Sequence, residues 1–349
     1  MQNLKDVLLQ LQPRREGSTI FLKAGEYVFE SKARTGSIQL DSNMSIIGEK
    51  GTNITITGDG TGFVAVNKQN IRLENLNIKF KDSSPNPFST AFDLRGCNGI
   101  EIRNCNVRDC GASAVRAGRN SGSDSTGRIF DQLGEGYGPT RNLIISGCSF
   151  FNCVGPVVGF KPGGAQNVEI RDNLFNGFGT YAISAEGEGQ PHGWTSSVYI
   201  TNNYIYNGQL SFRKADFGVI FGIYVGEHAY NITILRNIIE NIGNEKTTFC
   251  GGIATSTSPS QGDTQTSDIT INYNCIRNIY GARSGCILLM PGNKDISGVS
   301  VRNNFLAKNY NNRILAIRPD PNKNLGLVRF LDTDEQQECL YNNLVKNGV

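Results

Sequence analysis

One short pattern recurs along this chain and constrains its fold more than any other feature. Alternating apolar residues precede an Asn, or twice a Cys, in IEIRNC (100–105), LIISGC (143–148), VEIRDN (168–173), VYITNN (198–203), ITILRN (232–237), ITINYN (269–274) and VSVRNN (299–304). The repeated column is Cys105, Cys148, Asn173, Asn203, Asn237, Asn274 and Asn304, and an earlier copy, IRLENL (71–76), has Leu76 there. The spacing is about 25 to about 43 residues, which is typical of stacked supersecondary units.

Each repeat contains three short strands. The first alternates apolar and polar residues, and a second short run follows the Asn. The third strand comes after a Gly-rich or polar stretch and reads AFDLRG (91–96), AVRAGR (114–119), VVGFKP (157–162), AISAEG (182–187), GIYVGE (222–227), GGIATS (251–256), CILLMP (286–291) and ILAIRP (314–319). We expect the Asn between the first two strands to adopt the left-handed conformation of a sharp bend. Stacked Asn side chains would then hydrogen-bond along the axis at the roughly 4.8 Å spacing of strands.

This pattern resembles the pectate lyase-like superfamily, and the N-terminal stretches GSTIFLKAGEYVFES (17–31) and SIQLDSNMSIIGEKG (37–51) are similar to it as well. The resemblance covers roughly residues 17–320. It implies an all-β fold, a right-handed single-stranded parallel β-helix, with the Asn ladder between the second and third strands of a coil. It also implies a substrate groove on the outer face of the GIYVGE-type strand.

The repeat runs almost from end to end, so we predict one domain over residues 1–349 with about eight to ten coils. Residues 1–16 form an N-terminal cap, 17–320 the coils, and 321–349 a C-terminal cap or tail. An amphipathic capping helix over residues 2–12 is predicted from the helical spacing of Leu4, Val7, Leu8 and Leu11. At the C-terminal end, the residues predicted to cover the open core are the apolar Leu327, Val328, Phe330 and Leu331.

Composition and charge limit the classes of binding partner that we expect. A net charge of +3 and the lack of an aromatic-basic cluster argue against nucleic acid, and no apolar run approaches a membrane span. The chain begins without a signal peptide, which predicts a virion-associated protein or an extracellular one whose leader was removed. We expect a monomer, or a homotrimer as in phage tailspikes of this architecture.

The cysteines follow the repeat rather than a metal-binding spacing. There are nine, an odd number. Five lie in the repeat register: Cys105, Cys148, Cys110, Cys153 and Cys275. Buried free thiols are favoured, because Cys behaves as a small apolar residue in a core. Disulfides between neighbouring coils and a metal site are the alternatives, although no CxxC pair or Cys/His cluster supports a metal.

The pattern of the third strand also indicates where a catalytic or binding site would lie. Its alternate residues point inward, and the residues between them should face solvent. The first outward column is Asp93, Arg116, Gly159, Ser184, Tyr224, Ala254, Leu288 and Ala316. The second is Arg95, Gly118, Lys161, Glu186, Gly226, Ser256, Met290 and Arg318, and the third includes Glu188 and His228. Chemically capable side chains concentrate in the middle coils.

The longest connections flank the same coils, and long loops on one face of a regular scaffold often build a site. They are 121–140, 189–197 with His192 and Trp194, and 207–218 with Arg213. The candidate catalytic residues are Lys161, Glu186, Glu188, Tyr224 and His228. The candidate substrate-binding residues are Arg116, His192, Trp194, Arg213 and Glu227. A Trp beside polar groups suits sugar stacking.

Each candidate also has a purely structural interpretation. Lys161 with Glu186, and Glu188 with His228, lie on adjacent coils and are candidates for surface ion pairs. Tyr224 and Trp194 are then packing residues. Arg116 is then an anchor for the long 121–140 connection.

Three functions fit this face. Elimination or C5-epimerisation of a uronate polymer needs a cation (Arg116 or Lys161), a base (His228 or Lys161) and an acid (Tyr224). Glycoside hydrolysis would use Glu186 and Glu188, about 6.5–7 Å apart as i, i+2 neighbours on a strand. The third function is glycan binding without catalysis. We favour a lyase or epimerase.

Family motifs do not select among these functions. The polygalacturonase and pectate lyase motifs are missing from the chain. Tyr224-Val-Gly-Glu227-His228 and QPH (190–192) match the DPHE motif of alginate epimerases only partly. The Glu186-x-Glu188 pair matches part of a polysaccharide-lyase pattern and is also a candidate Ca²⁺ ligand pair. No other cofactor is predicted.

Overall fold

The computed structural model describes residues 2–9, 17–32, 35–81, 89–118, 138–160, 164–187, 193–209, 218–226, 228–244, 247–256, 266–281, 283–290, 296–306, 315–317 and 329–330. These residues form three long sheets in which neighbouring strands pair in parallel. Each coil contributes one strand to each sheet in turn, so the chain is a parallel β-helix. We name the sheets 1, 2 and 3 and number the strands in chain order.

Sheet 1 contains β4 (Ile38–Gln39), β7 (Phe63–Val66), β10 (Phe92–Arg95), β13 (Val115–Ala117), β16 (Val158–Gly159), β19 (Tyr181–Glu186), β22 (Val219–Gly226), β25 (Phe249–Ser256), β28 (Arg283–Met290) and β32 (Leu315–Ile317). Sheet 2 contains β2 (Thr19–Leu22), β5 (Ser45–Gly48), β8 (Gln69–Glu74), β11 (Asn98–Arg103), β14 (Thr140–Ser146), β17 (Ala165–Arg171), β20 (Thr195–Thr201), β23 (Ala229–Leu235), β26 (Thr266–Asn272), β29 (Ile296–Ser297), β30 (Ser300–Arg302) and β33 (Arg329–Phe330). Sheet 3 contains β1 (Gln2–Asn3), β3 (Gly25–Glu30), β6 (Thr52–Thr57), β9 (Asn77–Lys81), β12 (Asn106–Arg108), β15 (Ser149–Cys153), β18 (Leu174–Phe178), β21 (Tyr204–Gly208), β24 (Ile238–Gly243), β27 (Cys275–Tyr280) and β31 (Phe305–Leu306).

The core is built by identical positions stacking from coil to coil. One such buried column in sheet 2 is Ile71, Ile100, Leu143, Val168, Val198, Ile232 and Ile269. Aromatic residues stack in the same way, as Phe150 and Phe175 do with ring centroids 5.0 Å apart. Burial of each such side chain contributes roughly 1.5–3 kcal/mol, so the stack of coils carries most of the stability.

The predicted asparagine ladder is confirmed. The side-chain amide of Asn173 donates to Asn203, that of Asn203 to Asn237, and that of Asn237 to Asn274, at 2.9–3.0 Å; Asn274 continues to Asn304 at 2.9 Å. From Asn203 onward, each Oδ1 also accepts the backbone N–H of the Asn in the preceding coil. Each Nδ2 also donates to a carbonyl of the coil before it. The five amides are therefore saturated although they are buried.

The expectation that the ladder residue itself is left-handed is wrong. The positive φ angles belong to the residue before it: Asp172 (58°), Asn202 (54°), Arg236 (56°), Tyr273 (53°) and Asn303 (49°). That residue makes the bend, and the ladder Asn then points its amide inward. A second left-handed column occurs at the start of the sheet 2 strands and a third occurs in sheet 3 from β12 to β27, and Asn is the commonest residue in both.

Cysteines extend the ladder toward the N-terminus. The backbone N–H of Cys148 donates to Asn173 Oδ1 at 2.9 Å, as a ladder Asn would. All eight cysteines among the described residues are buried and unpaired by disulfides, and Cys339 lies outside the described residues. Burial raises the pKa of the Cys275 and Cys286 thiols to about 12, which disfavours the reactive thiolate.

A short helix covers the N-terminal end, as predicted, but it begins two residues later than expected, and Leu11 lies outside the described residues. Helix α1 spans Leu4–Leu9, because Gln2 and Asn3 instead pair with β3. Asn3 Oδ1 accepts the N–H of Lys5 at 3.0 Å and so caps the helix. Leu4 and Leu8 join the core. No helix in the described part of the chain is long and apolar enough to cross a membrane.

The tail, residues 321–349, is described only at Arg329–Phe330. Val301 pairs with Phe330 in sheet 2, so this segment extends a sheet. Leu327, Val328 and Leu331, which were also predicted to cover the C-terminal end, lie outside the described residues. The proposed domain boundaries stay a prediction.

We predict that Asn237→Leu destabilises the fold by about 1–3 kcal/mol, because it leaves ladder partners in both neighbouring coils unsatisfied in a buried site. Chemical denaturation would measure the loss. Thr270→Leu, on the exposed face of β26, is the control and should stay within about 0.5 kcal/mol of the parent. Equal stability of the two variants would contradict the role assigned to the ladder.

We also predict that the thiols are free and protected. Thiol titration of the denatured, unreduced protein should find close to all nine cysteines. The folded protein at pH 8 should react slowly, because the raised pKa values keep buried thiols protonated well above the pH at which an exposed thiol ionises. Finding only one free thiol after denaturation would overturn this prediction.

Candidate functional site

The outer face of sheet 1 has the side-chain columns that the repeat predicted. The first column pairs in register as Asp93, Arg116, Gly159, Ser184, Tyr224, Ala254, Leu288 and Ala316. The second pairs Glu186, Gly226, Ser256 and Met290. Ala185 and Val225, which lie between these columns, belong to the core, as do Ile183 and Ile223 just before the first column. The register was therefore correct at each of these coils.

The expectation that these columns face solvent is wrong for the middle coils. Tyr224 is 9% exposed, Glu186 is 7% exposed and Ser184 is 1% exposed. Tyr224 belongs to a second apolar cluster with Phe221, Ala254 and Leu288, which is separate from the core inside the β-helix. The outer face of sheet 1 is thus a sheltered environment, in which polar groups interact more strongly than they do in water.

Glu186 ends β19 and is held from two sides. The Ser184 hydroxyl, two residues earlier on the same outer face, donates to Glu186 Oε2. The backbone carbonyl of Glu186 accepts the Thr195 hydroxyl at 2.6 Å. The carboxylate position is therefore fixed by the strand and by a hydrogen bond rather than by a mobile loop.

Tyr224 is positioned by an aromatic stack. Its ring lies 4.9 Å from that of Tyr181 and 5.6 Å from that of Phe221, at interplanar angles of 19° and 15°. A Cβ at Gly226 would lie 2.8 Å from the Tyr224 hydroxyl, so a larger residue there would displace the Tyr224 ring. Gly226 pairs with Glu186 across the sheet. The phenol hydroxyl therefore lies over Gly226, whose partner one strand spacing away, roughly 4.8 Å, is Glu186.

Arg116 provides a cation in the same column. It pairs with Asp93 in the neighbouring coil, and Asp93 is itself buried and bound by Arg95. The pKa of Arg116 is lowered, chiefly because the guanidinium is buried. The Asp93 carboxylate opposes this shift, and Arg95 adds to it. Two strand spacings, about 10 Å, separate Arg116 from Ser184. The guanidinium ordinarily stays protonated in proteins, so this column offers a fixed positive charge.

His228 and Trp194 form a separate group at the corner between sheets 1 and 2. Their rings meet edge to face with centroids 5.0 Å apart, and Trp194 also meets Tyr230 at 5.8 Å. His228 is buried and has a φ of 58°. Its carbonyl accepts the N–H of Thr195 at 3.1 Å. Thr195 therefore links this corner group to Glu186.

Five of the predicted site residues lie outside the described residues: Lys161, Glu188, His192, Arg213 and Glu227. The Lys161–Glu186 and Glu188–His228 ion pairs stay predictions. So does the Glu186–Glu188 separation. In the described part of the chain, no group of three or more His, Cys, Asp or Glu is arranged to hold a metal ion, and the Ca²⁺ assignment to Glu186 and Glu188 also stays a prediction.

Sequence reasoning missed the aromatic stack of Tyr181 and Phe221. These residues pair in register and their rings stack at 5.8 Å. Strict alternation fails here, because a Cβ at Gly222 would meet the core residue Ile239, so the strand turns both Phe221 and Tyr224 outward around an inward Gly222. The unusual Gly in the middle of β22 was the available signal.

A second missed group lies on the outer face of sheet 3. Glu240 is 5% exposed, and its two carboxylate oxygens accept hydrogen bonds from Tyr204 and Arg277. Tyr204 also stacks on Tyr206 at 4.7 Å. The sequence showed these residues only as alternate positions of the second strand. Their mutual hydrogen bonds make them a structural ion-pair group.

A family profile described as a right handed beta helix region matches residues 38–193. The chain has the right-handed parallel β-helix fold. No curated protein matches it in sequence.

Solved structures agree on the fold. The surface protein and adhesin PfbA of Streptococcus pneumoniae is 14% identical, with 94% of each chain covered and a TM-score of 0.54. The Agl-KA catalytic domain is 13% identical with a TM-score of 0.54, and 86% of this chain covers 54% of that one. A family 28 exopolygalacturonase of Yersinia enterocolitica is 12% identical over 95% of this chain and 76% of that chain, with a TM-score of 0.49. At such low identity the likenesses to PfbA and to the Agl-KA catalytic domain establish the architecture alone, and the resemblance found in the sequence is confirmed at the level of the fold.

Proposed function

We propose that this protein is a polysaccharide-active enzyme whose site is the outer face of sheet 1, and that it acts on a uronate-containing polymer by elimination or C5-epimerisation. The observation that carries the proposal is the position of the Tyr224 hydroxyl over Gly226, the strand partner of Glu186. A phenol and a carboxylate thus share one sheltered face, with Arg116 in the same outward column.

The proposed reaction assigns one role to each group. Arg116 or Lys161 neutralises the uronate carboxylate, which makes the C5 proton removable. A base, Lys161 or His228, takes that proton. In elimination the electron pair forms the C4–C5 double bond, the C4–O bond breaks, and Tyr224 protonates the leaving oxygen. In epimerisation a proton returns to C5 from the opposite face instead.

Glu186 acts beside Tyr224 rather than as one of a hydrolytic pair in this proposal. Glycoside hydrolysis requires two carboxyl groups flanking the bond. Among the described strands β16, β19, β22, β25 and β28, Glu186 is the single carboxylate. Hydrolysis would have to recruit Glu188, and it therefore stays the second candidate, with its own test below.

The similar structures support both an enzyme and a binding protein. One carries the name of a catalytic domain and the other of an adhesin. Glycan binding without catalysis is thus the rival to any enzymatic function. The Ser184–Glu186 hydrogen bond and the stacked Tyr224 favour catalysis, because both groups are fixed in place before substrate arrives.

The direct test is digestion of a panel of acidic and neutral glycans. Elimination should generate an unsaturated sugar end that absorbs in the near ultraviolet. Epimerisation should change the C5 configuration by NMR without shortening the polymer. Reducing ends released without absorbance would identify a hydrolase, and Glu186→Gln or Glu188→Gln should then abolish them. Binding without any of these products would leave the adhesin-like function.

We predict that Tyr224→Phe lowers turnover of the active polymer by roughly 10²-fold or more, because it removes the proposed proton donor and leaves the aromatic stack intact. Tyr199→Phe is the matched control, since Tyr199 is 43% exposed on sheet 2, and it should keep full activity. Full activity in Tyr224→Phe, with the polymer still bound, would remove Tyr224 from the mechanism.

A further inference from the structure

A second groove lies on the outer face of sheet 3, away from the face assigned to catalysis. It has a volume of about 430 Å³ and crosses β3, β6, β9 and β12. Four strands at about 4.8 Å spacing give it a length of about 14 Å along the helix axis. Seven of its nine lining residues are polar or charged.

The first column of the groove is a row of amides. Asn53, Asn77 and Asn106 pair in register from coil to coil. Asn77 donates to Asn53 Oδ1 at 3.2 Å, and Asn53 donates to Glu26 Oε1 at 2.7 Å. These bonds orient the amides while leaving further donor and acceptor capacity on each one. Oriented amides of this kind suit the paired donor and acceptor groups of sugar hydroxyls.

The second column is cationic. Thr55, Lys79 and Arg108 pair in register, and both cations are exposed. Within the described part of the chain, neither Lys79 nor Arg108 forms an ion pair. Like charges directly opposite each other on a sheet are destabilising. An anion bound between Lys79 and Arg108 would relieve that repulsion.

Aromatic side chains continue the face beyond Arg108. The Arg108 guanidinium lies over the Phe151 ring at 5.3 Å from its centroid, and Phe151 is the next residue in the cationic column. Tyr206 follows two coils later in the same column. Both rings are half-buried. Sugar rings stack favourably on such faces.

We propose that this groove, defined by Asn53, Thr55, Asn77, Lys79, Asn106 and Arg108, binds an acidic oligosaccharide as a non-catalytic site. The carboxylate lies between Lys79 and Arg108, and the ring hydroxyls bond the amide row. Glu26 at one end repels a second carboxylate and so sets the direction of the chain. The identity of the polymer as a uronate rests on the proposed function, whereas the groove itself stands on its own residues.

The test is native affinity electrophoresis in gels that contain polygalacturonate, alginate or neutral dextran. Both polyuronates should retard the protein and dextran should not. Lys79→Ala/Arg108→Ala should weaken retention at least 5-fold. Lys68→Ala/Arg141→Ala removes the same charge from the start of sheet 2 and is the matched control, expected to stay within 2-fold.

A third variant separates sugar recognition from charge attraction. Asn77→Ala keeps the charge, leaves the Arg108–Asn106 hydrogen bond intact, and should weaken retention several-fold. Equal retention of the parent and Lys79→Ala/Arg108→Ala would overturn the proposal. So would an equal loss in the Lys68→Ala/Arg141→Ala control, full retention in Asn77→Ala, complete competition by sulfate at matched ionic strength, or equal retardation by a single-stranded oligonucleotide.

The two proposals fail separately. Tyr224→Phe should keep its retention while turnover falls, and Lys79→Ala/Arg108→Ala should turn over short oligouronates at the parental rate. If the parent digests none of the glycans and only Lys79→Ala/Arg108→Ala loses retention, the groove proposal is supported and the enzymatic proposal is refuted. If the parent turns over the polymer and Lys79→Ala/Arg108→Ala retains its full retardation, the enzymatic proposal is supported and the groove proposal is refuted.

Discussion

Everything in this protein depends on the contact between one coil and the next. Backbone hydrogen bonds join each coil to its neighbours in all three sheets, but they leave the bend between sheets 2 and 3 with polar groups inside the core. The ladder from Asn173 to Asn304 satisfies them, because each amide bonds the coil on either side. It also fixes the register, since a slipped coil would break both of its ladder bonds.

A fixed register turns a short strand into a column of side chains. On sheet 1, the column that contains Arg116, Ser184 and Tyr224 arises from residues far apart in sequence. On sheet 3, the same stacking aligns Asn77 with Asn106 and Lys79 with Arg108. The scaffold can therefore hold two polymer-facing surfaces whose groups repeat at the strand spacing, which suits a ligand that is itself a repeating chain.

The repeat predicts the three-strand coil, the ladder and the membership of the outward columns, because all of these follow from periodicity. It does not predict that Tyr224 and Glu186 are sheltered, since the cluster of Phe221, Ala254 and Leu288 depends on a departure from alternation at Gly222. Nor does it assign the bend to the residue before the ladder Asn, where even Arg236 and Tyr273 are left-handed. Periodicity specifies which residues stack. The departure from it at Gly222 produces the sheltered surroundings of the candidate site.

The most direct test of the central claim is a crystal structure of Glu186→Gln with a bound uronate tetrasaccharide. The account predicts sugar across the outer face of sheet 1, a carboxylate bonded to Arg116, and a glycosidic oxygen about 2.5–3.0 Å from the Tyr224 hydroxyl. A tetrasaccharide bound only elsewhere, with the outer face of sheet 1 unoccupied, would contradict it.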